Sequence, residues 1–250
     1  MAVRSHAPDA SLAGRTVLVT GAGGDLGAAA CMAAARAGAR VLMLDRKRRS
    51  LEDPYDRIEA LGACEPAMIE FDMAAAREAD CRTLAEGVAG LAGTLDGLVH
   101  CALSAWPLAA VVNSRVEDWH RIHDREAVRP MVLTRALFPL LDTSRDASVI
   151  FCTLSAGRRG RANWGAVGSA FSALENISET LSAEWENRRI RVNTLDISGL
   201  RTGLRTRYYP GEVPNRREAP DDPGFAETLV RLLEAGCATT GERIAVPVDG

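Results

Sequence analysis

The chain has 250 residues, of which 47% are hydrophobic and 25% charged, and its formal net charge is −3. This balance is ordinary for a globular protein, and the length suits one large domain with a substantial core. The small negative charge gives no general attraction to nucleic acid. No apolar run approaches the roughly 20 residues of a membrane span, and the first 14 residues contain no apolar signal core. We therefore predict a cytoplasmic protein that binds neither nucleic acid nor membranes.

Six cysteines are scattered along the chain without a C-x-x-C pair, and Cys101 and Cys152 end apolar runs that resemble strands. Such positions are typical of buried thiols in a reducing compartment. The four histidines show no paired ligand spacing. We therefore expect no metal site.

Short apolar runs alternate with helical patterns along the whole chain, which is typical of strands that alternate with helices. Strands are predicted at residues 17–19, 40–45, 67–71, 95–101, 148–153, 190–195 and 243–248. Helices are predicted at residues 25–37, 51–61, 75–91, 116–141 (kinked at Pro130), 164–187 and 225–235. Residues 198–224, rich in Pro, Gly and Arg, are expected to form a surface excursion. The alternation predicts an α/β fold, in which helices flank both faces of a doubly wound parallel sheet.

A glycine-rich turn joins the first predicted strand to the first predicted helix, and residues 20–27 read T-G-A-G-G-D-L-G. Amides at a helix N-terminus attract anions, so a turn in this context suits a phosphate group. The chain also contains Asp72-Met73 after the third strand, Leu-Asp-Gly-Leu-Val at 95–99 and Arg-Val-Asn at 191–193. With these motifs the chain resembles the short-chain dehydrogenase/reductases (SDRs), whose first turn has the pattern T-G-x-x-x-G-x-G.

The resemblance covers nearly the whole chain and implies one Rossmann-type domain over residues 14–250, preceded by an N-terminal extension over 1–13. Residues 157–166 are similar to one subgroup of uncharacterised bacterial SDR reductases. If a nucleotide binds, the resemblance assigns its contacts to the glycine turn and to the ends of three strands. These residues are Gly21, Gly23, Gly24, Asp25, Leu26, Gly27, Asp45, Arg46, Asp72, Met73 and Ala102.

Two charged residues at the end of the second predicted strand bear on the choice of cofactor. An acidic residue at the position of Asp45 accepts hydrogen bonds from the adenosine ribose in NAD-binding members of such folds. Arg46 would suit the 2′-phosphate of NADP, although residues 46–49 could also be a solvated basic loop. We expect NAD to be preferred over NADP if either binds.

Asp25 departs from the SDR pattern, which has glycine at this position. Its carboxylate would face the pyrophosphate, and two like charges about 4–5 Å apart repel by roughly 3 kcal/mol at an effective dielectric constant near 20. That repulsion would weaken nucleotide binding by on the order of 100-fold. The alternative is that Asp25 caps the helix, which is favourable without any ligand.

SDR catalysis uses a tyrosine, a lysine four residues later, a serine and an asparagine. The resemblance places these four positions at Val167, Phe171, Leu154 and Glu126, respectively. Another alignment does not restore the motif, because the only lysine is Lys47 and no tyrosine lies four residues before it. Leu154, Val167, Phe171 and Ile197 are therefore expected to form an apolar site where nicotinamide would lie.

The sequence thus favours a non-catalytic SDR homologue, a pseudoenzyme that serves as a binding, regulatory or structural subunit and binds NAD(P) weakly or not at all. A first alternative is an NAD(P)-dependent oxidoreductase with a non-standard active site. A second is non-redox chemistry that uses Glu126 and His123. SDRs assemble through two long helices, here 116–141 and 164–187, so we expect a homo-oligomer (dimer or tetramer) or a hetero-oligomer with an active relative.

Two further groups of residues remain open to more than one interpretation. Glu126 could be a buried carboxyl with a raised pKa, or it could form an ion pair with Arg158. Arg158, Arg159 and Arg161 could grip an acidic ligand or partner, or they could belong to a solvated loop.

Overall fold

Seven parallel strands form the centre of the protein, in the order β3-β2-β1-β4-β5-β6-β7. The computed structural model describes residues 10–62, 65–155, 158–213 and 223–247. The strands are β1 (Thr16–Thr20), β2 (Arg40–Asp45), β3 (Ala67–Glu70), β4 (Gly97–His100), β5 (Ala147–Thr153), β6 (Ile190–Asp196) and β7 (Arg243–Ala245). The strand order reverses between β1 and β4, and ligands of open α/β sheets bind at such a reversal, beyond the carboxyl ends of the strands.

Helices cover both faces of this sheet. They are α1 (Asp25–Arg36), α2 (Arg49–Glu59), α3 (Glu78–Ala92), α4 (Val116–His123), α5 (Arg129–Asp142), α6 (Gly165–Glu184), α7 (Gly203–Tyr208) and α8 (Pro223–Leu233). Successive residues of a strand point to opposite faces, so Val17 and Val19 join a core cluster with α1 and α8. Leu18 joins the cluster on the other face, beneath α3, α5 and α6. The predicted α/β fold with a doubly wound parallel sheet is confirmed.

The long helix predicted over residues 116–141 is interrupted. It consists of α4, one π-helical turn (Asp124–Val128) and α5. Pro130 lies in the first turn of α5 and does not kink its interior. Because proline has no amide hydrogen to donate to the carbonyl of Glu126, the irregularity falls in the preceding turn. That turn carries Glu126 inward, where only 1% of the residue is exposed.

The segment after β6 also differs from its prediction as a surface excursion. Residues 203–208 form α7, whose N-cap Thr202 accepts a hydrogen bond from the amide of Arg205 at 3.0 Å. Tyr208, at the end of α7, is buried. Residues 214–222 of the predicted excursion lie outside the described residues, as do residue 248 of the last predicted strand and residues 1–9 of the predicted N-terminal extension.

None of the helices within the described ranges combines the length and the hydropathy that a bilayer span requires.

Candidate functional site

The glycine turn between β1 and α1 packs tightly against the end of β4. Gly21 has φ +66°, and a Cβ added to it would lie 2.7 Å from the Cα of Ala102. A Cβ on Gly27 would collide with the carbonyl oxygen of Gly21. Both positions therefore require glycine, because the backbone of the turn, the helix and β4 meet there without room for a side chain. The turn therefore lies at the point where the strand order of the sheet reverses.

Asp45, the last residue of β2, is fixed on this turn. Its Oδ2 accepts a hydrogen bond from the amide of Gly23 at 3.1 Å, and its Oδ1 accepts a longer one from the amide of Lys47 at 3.4 Å. The side chain thus uses both oxygens on backbone amides. Arg46, the next residue, is exposed.

A cavity of about 510 Å³ opens above the turn. Ten of the eleven residues that the sequence assigned to a nucleotide line this cavity, and the exception is Gly23. The cavity extends along the segment after β4 to Trp106 and across to Gly203 at the start of α7. The structure therefore gathers these residues around one space, while their contact with a nucleotide stays a prediction.

Asp25 is the first residue of α1, and the N-cap position belongs to Gly24, which makes no side-chain capping bond. The carboxylate of Asp25 instead links two elements. Its Oδ1 accepts a hydrogen bond from the amide of Leu26 at 2.8 Å, and its Oδ2 accepts one from the amide of Gly203 at 2.5 Å. The alternative of an N-cap is therefore wrong, and Asp25 joins the glycine turn to α7 at the edge of the cavity.

Glu126 is held beneath the segment that follows β4. Its Oε1 accepts hydrogen bonds from Trp106 Nε1 at 2.7 Å and from the amide of Ser104 at 3.2 Å. Its Oε2 is buried and has no hydrogen-bond partner among the described residues. Burial raises the pKa of Glu126 to about 7, and the hydrogen bonds from Trp106 and Ser104 oppose that shift. Glu126 is therefore poised to hold or release a proton near neutral pH.

The proposed ion pair between Glu126 and Arg158 is absent. Arg158 instead contacts Glu175 and Asp196, each at 2.9 Å. The pairing of Glu126 with His123 is not supported either. His123 Nδ1 lies 3.0 Å from the carbonyl oxygen of Trp119, and its Nε2 lies 3.2 Å from Ser169 Oγ. The π-helical turn shifts the helical phase after His123, and the two side chains share no partner.

The four apolar side chains expected around nicotinamide divide into two pairs. Leu154 and Ile197 line a second cavity, of about 670 Å³, and Ile197 lines the first cavity as well. Val167 and Phe171, on α6, are 1% and 0% exposed, belong to the hydrophobic core and line neither of these two cavities. Phe171 therefore packs into the core rather than projecting into either cavity.

Tyr208 lines the second cavity and was missed by sequence reasoning. Its hydroxyl donates to the carbonyl oxygen of Ser104 and accepts from the amide of Trp106, both at 3.3 Å. Burial raises its pKa above the ordinary value, so the phenol stays neutral. The ring packs at 4.8 Å from that of Trp164. The one sequence signal for a tyrosine at this cavity was the pair of adjacent tyrosines, Tyr208 and Tyr209, in a polar segment.

Comparison with known proteins settles the family. A family model for short chain dehydrogenase matches residues 15–212. The chain belongs to the short-chain dehydrogenase/reductase family. It is 32% identical over 208 residues to the uncharacterised oxidoreductase YciK of Escherichia coli K12, covering 83% of this chain and 82% of that protein.

Two solved structures of similar proteins have the same fold over almost their whole length. A short chain dehydrogenase from Pseudomonas syringae is 35% identical, with a TM-score of 0.91 and coverage of 99% of both chains. One from Shigella flexneri 2a, complexed with NADP, is 29% identical, with a TM-score of 0.90 and coverage of 95% of this chain and 99% of that chain. The prediction of no cofactor, or of NAD in preference to NADP, is contradicted by this NADP complex.

Proposed function

We propose that the protein is an NADP(H)-dependent oxidoreductase of the SDR family with a non-standard active site. The observation that carries this proposal is the cavity at the strand reversal, where a turn with no room for a Cβ at Gly21 or Gly27 faces Asp45, Arg46 and Asp72. Its shape and lining suit a dinucleotide. Family membership and the NADP complex of the Shigella protein support the same conclusion.

The arrangement of Asp45 and Arg46 accounts physically for a preference for NADP(H). Asp45 already accepts hydrogen bonds from the amides of Gly23 and Lys47, so its charge is partly offset. Arg46 is exposed and lines the cavity. A guanidinium binds a phosphate bidentately. Arg46 would therefore hold the 2′-phosphate that distinguishes NADP from NAD.

The substrate would enter the second cavity, which meets the first at Ile197. NADPH, when bound, supplies a hydride to a carbonyl carbon. The protein must then supply a proton to the carbonyl oxygen. We assign this role to the neutral hydroxyl of Tyr208. Tyr208 lines the second cavity, and its hydroxyl contacts Ser104 and Trp106, which line the first. We assign proton storage to the carboxyl of Glu126, which is also bonded to Ser104 and Trp106.

Titration of the purified protein with NADPH and NADH, followed by fluorescence and by thermal shift, tests the cofactor assignment. We expect NADPH to bind at least about tenfold more tightly than NADH, because one phosphate–arginine contact contributes on the order of 1.4 kcal/mol or more. Arg46→Ala should abolish the preference while leaving NADH affinity unchanged. Arg48→Ala, at an exposed arginine of the same turn that does not line the cavity, is the matched control. Failure of both nucleotides to bind at millimolar concentration would contradict the proposal.

A non-catalytic subunit is the second candidate function. Val167 and Phe171 on α6 favour it, since neither side chain can transfer a proton. The same titration separates the two candidates, because a subunit without cofactor chemistry has no need of a nicotinamide nucleotide.

Self-association is a further part of the proposal. A groove of about 410 Å³ between α5 and α6 is lined largely by apolar residues, namely the half-buried Met131, Phe138, Ile177 and Leu181 and the buried Trp185. A second copy of the chain that packs there would bury this apolar surface.

A further inference from the structure

The second cavity carries more positive than negative charge on its walls. Four arginines line it (Arg158, Arg159, Arg161 and Arg205), and the carboxylate among its lining residues is Glu212. Two of these arginines form ion pairs with carboxylates. Arg158 lies between Glu175 and Asp196, and Arg205 contacts Glu212 at 2.6 Å.

Arg159 and Arg161 differ from that pair. Both are exposed, and neither forms an ion pair with a carboxylate in the described part of the chain. Arg161 Nη1 donates to the hydroxyl of Tyr209 at 3.0 Å, which orients the guanidinium without neutralising it. An arginine held in this way presents donors whose fork matches the two oxygens of a carboxylate or phosphate.

The remaining walls of the second cavity suit the uncharged part of a ligand. The rings of Trp164 and Tyr208 form one wall, and Leu154 and Ile197 contribute aliphatic surface. Because Ile197 also lines the nucleotide cavity, a carbonyl group next to it would face the cofactor. An anionic group on the same molecule would then reach toward Arg159 and Arg161.

We infer that the second cavity binds a carbonyl substrate with an apolar or aromatic body and a carboxylate or phosphate group, and that Arg159 and Arg161 bind the anionic group. The claim that the ligand is a substrate rests on the proposed oxidoreductase function. The claim that the cavity binds such an anion rests only on the residues that line the cavity.

Calorimetric titration of the full-length protein with a matched set of probes tests the inference. Benzoylformate carries the carboxylate, its methyl ester is the neutral counterpart, and phenyl phosphate carries a phosphate on the same phenyl ring in place of the whole oxo acid. We expect at least one anion to bind about tenfold or more tightly than the ester, with an affinity that falls as salt is added. The stronger of the two anions identifies which group the site prefers.

Substitutions then locate the binding groups. Arg159→Ala and Arg161→Ala should each weaken the preferred anion by about fivefold or more and leave the methyl ester unchanged. Arg57→Ala, an exposed arginine on α2 outside both cavities, should change neither. Equal affinity for the anions and the ester, no binding of either anion, or anion binding that both arginine variants retain would each overturn the inference.

The outcomes for the inference and for the proposed function are separable. Arginine-dependent anion binding in a protein that binds no NADPH would support the binding site and reject the oxidoreductase. Tight NADPH binding without arginine-dependent anion binding would reject the inference and leave the proposed function standing.

Discussion

Asp25 places a carboxylate at the edge of the first cavity, where its Oδ2 accepts a hydrogen bond from the amide of Gly203. The side chain is exposed, so solvent screens its repulsion of a pyrophosphate to about 1 kcal/mol. We predict that Asp25→Asn tightens NADPH binding by about fivefold, because it removes the charge and keeps an oxygen for the Gly203 amide. Fluorescence titration of both proteins measures the change.

The comparison with Asp25→Gly separates charge from bulk. If only the glycine variant binds more tightly, the obstacle is the side chain rather than its charge. If neither variant binds more tightly, the carboxylate does not face the phosphates, and its link to α7 is its main role.

Glu126 gives the stability of the protein a predictable dependence on pH. Its pKa is about 7 in the folded state against an ordinary 4.5, so the folded state binds the extra proton in this window. The contribution of Glu126 to stability is fully present below pH 4.5 and is lost as pH rises through about 7. The loss amounts to about 3 kcal/mol at 1.36 kcal/mol per pKa unit. The stability of Glu126→Gln should not fall in this pH range, because glutamine does not titrate and its amide oxygen can accept the same two hydrogen bonds.

Urea unfolding of both proteins between pH 4.5 and 8 checks this expectation. The difference between their free energies of unfolding isolates Glu126, because the other titrating groups are common to both. Parallel pH profiles would show that Glu126 keeps an ordinary pKa in the folded protein.

The groove between α5 and α6 is the surface at which we expect two copies of the chain to meet. Phe138 and Leu181 line the groove from the two helices. We expect Phe138→Glu or Leu181→Glu to convert an oligomer into a monomer, because burying an unpaired carboxylate costs several kcal/mol. Light scattering coupled to size-exclusion chromatography measures the mass. Val112→Glu, at an exposed apolar residue outside the groove, is the control. If the protein without these substitutions is already a monomer in solution, the proposed interface is wrong.

Central strands such as β1 could be predicted because they are short, largely apolar runs buried on both faces, as Val17, Leu18 and Val19 illustrate. Other features could not be predicted from local pattern. The six residues of α7 are too few for a clear periodicity, and Tyr208 is held by Ser104 and Trp106, about a hundred residues earlier. The π-helical turn that carries Glu126 inward likewise depends on packing. Composition alone identified the absence of a Y-x-x-x-K motif, but not which groups border the cavities instead.

In the whole molecule, two cavities share Ile197 as a lining residue, just beyond the carboxyl end of β6. One is lined by the glycine turn and the ends of the strands, and the other by the segment between β5 and α6 and by α7. Under the proposed function the nucleotide would occupy the first cavity and the substrate the second, side by side, which is the arrangement that hydride transfer needs. The sequence has no Y-x-x-x-K motif, yet the structure contains the two neighbouring cavities that the proposed function requires.

The rate of NADPH oxidation in the presence of carbonyl compounds, benzoylformate among them, tests whether the protein is an oxidoreductase. We expect turnover that requires both ligands. We also expect that Tyr208→Phe lowers kcat by about 100-fold or more, as is typical of a lost general acid, without changing the Kd for NADPH. Tyr55→Phe, at a tyrosine of α2 that lines neither cavity, should retain most of the activity. NADPH that binds but is never oxidised by any carbonyl compound, or turnover that is unchanged in Tyr208→Phe, would contradict the proposal.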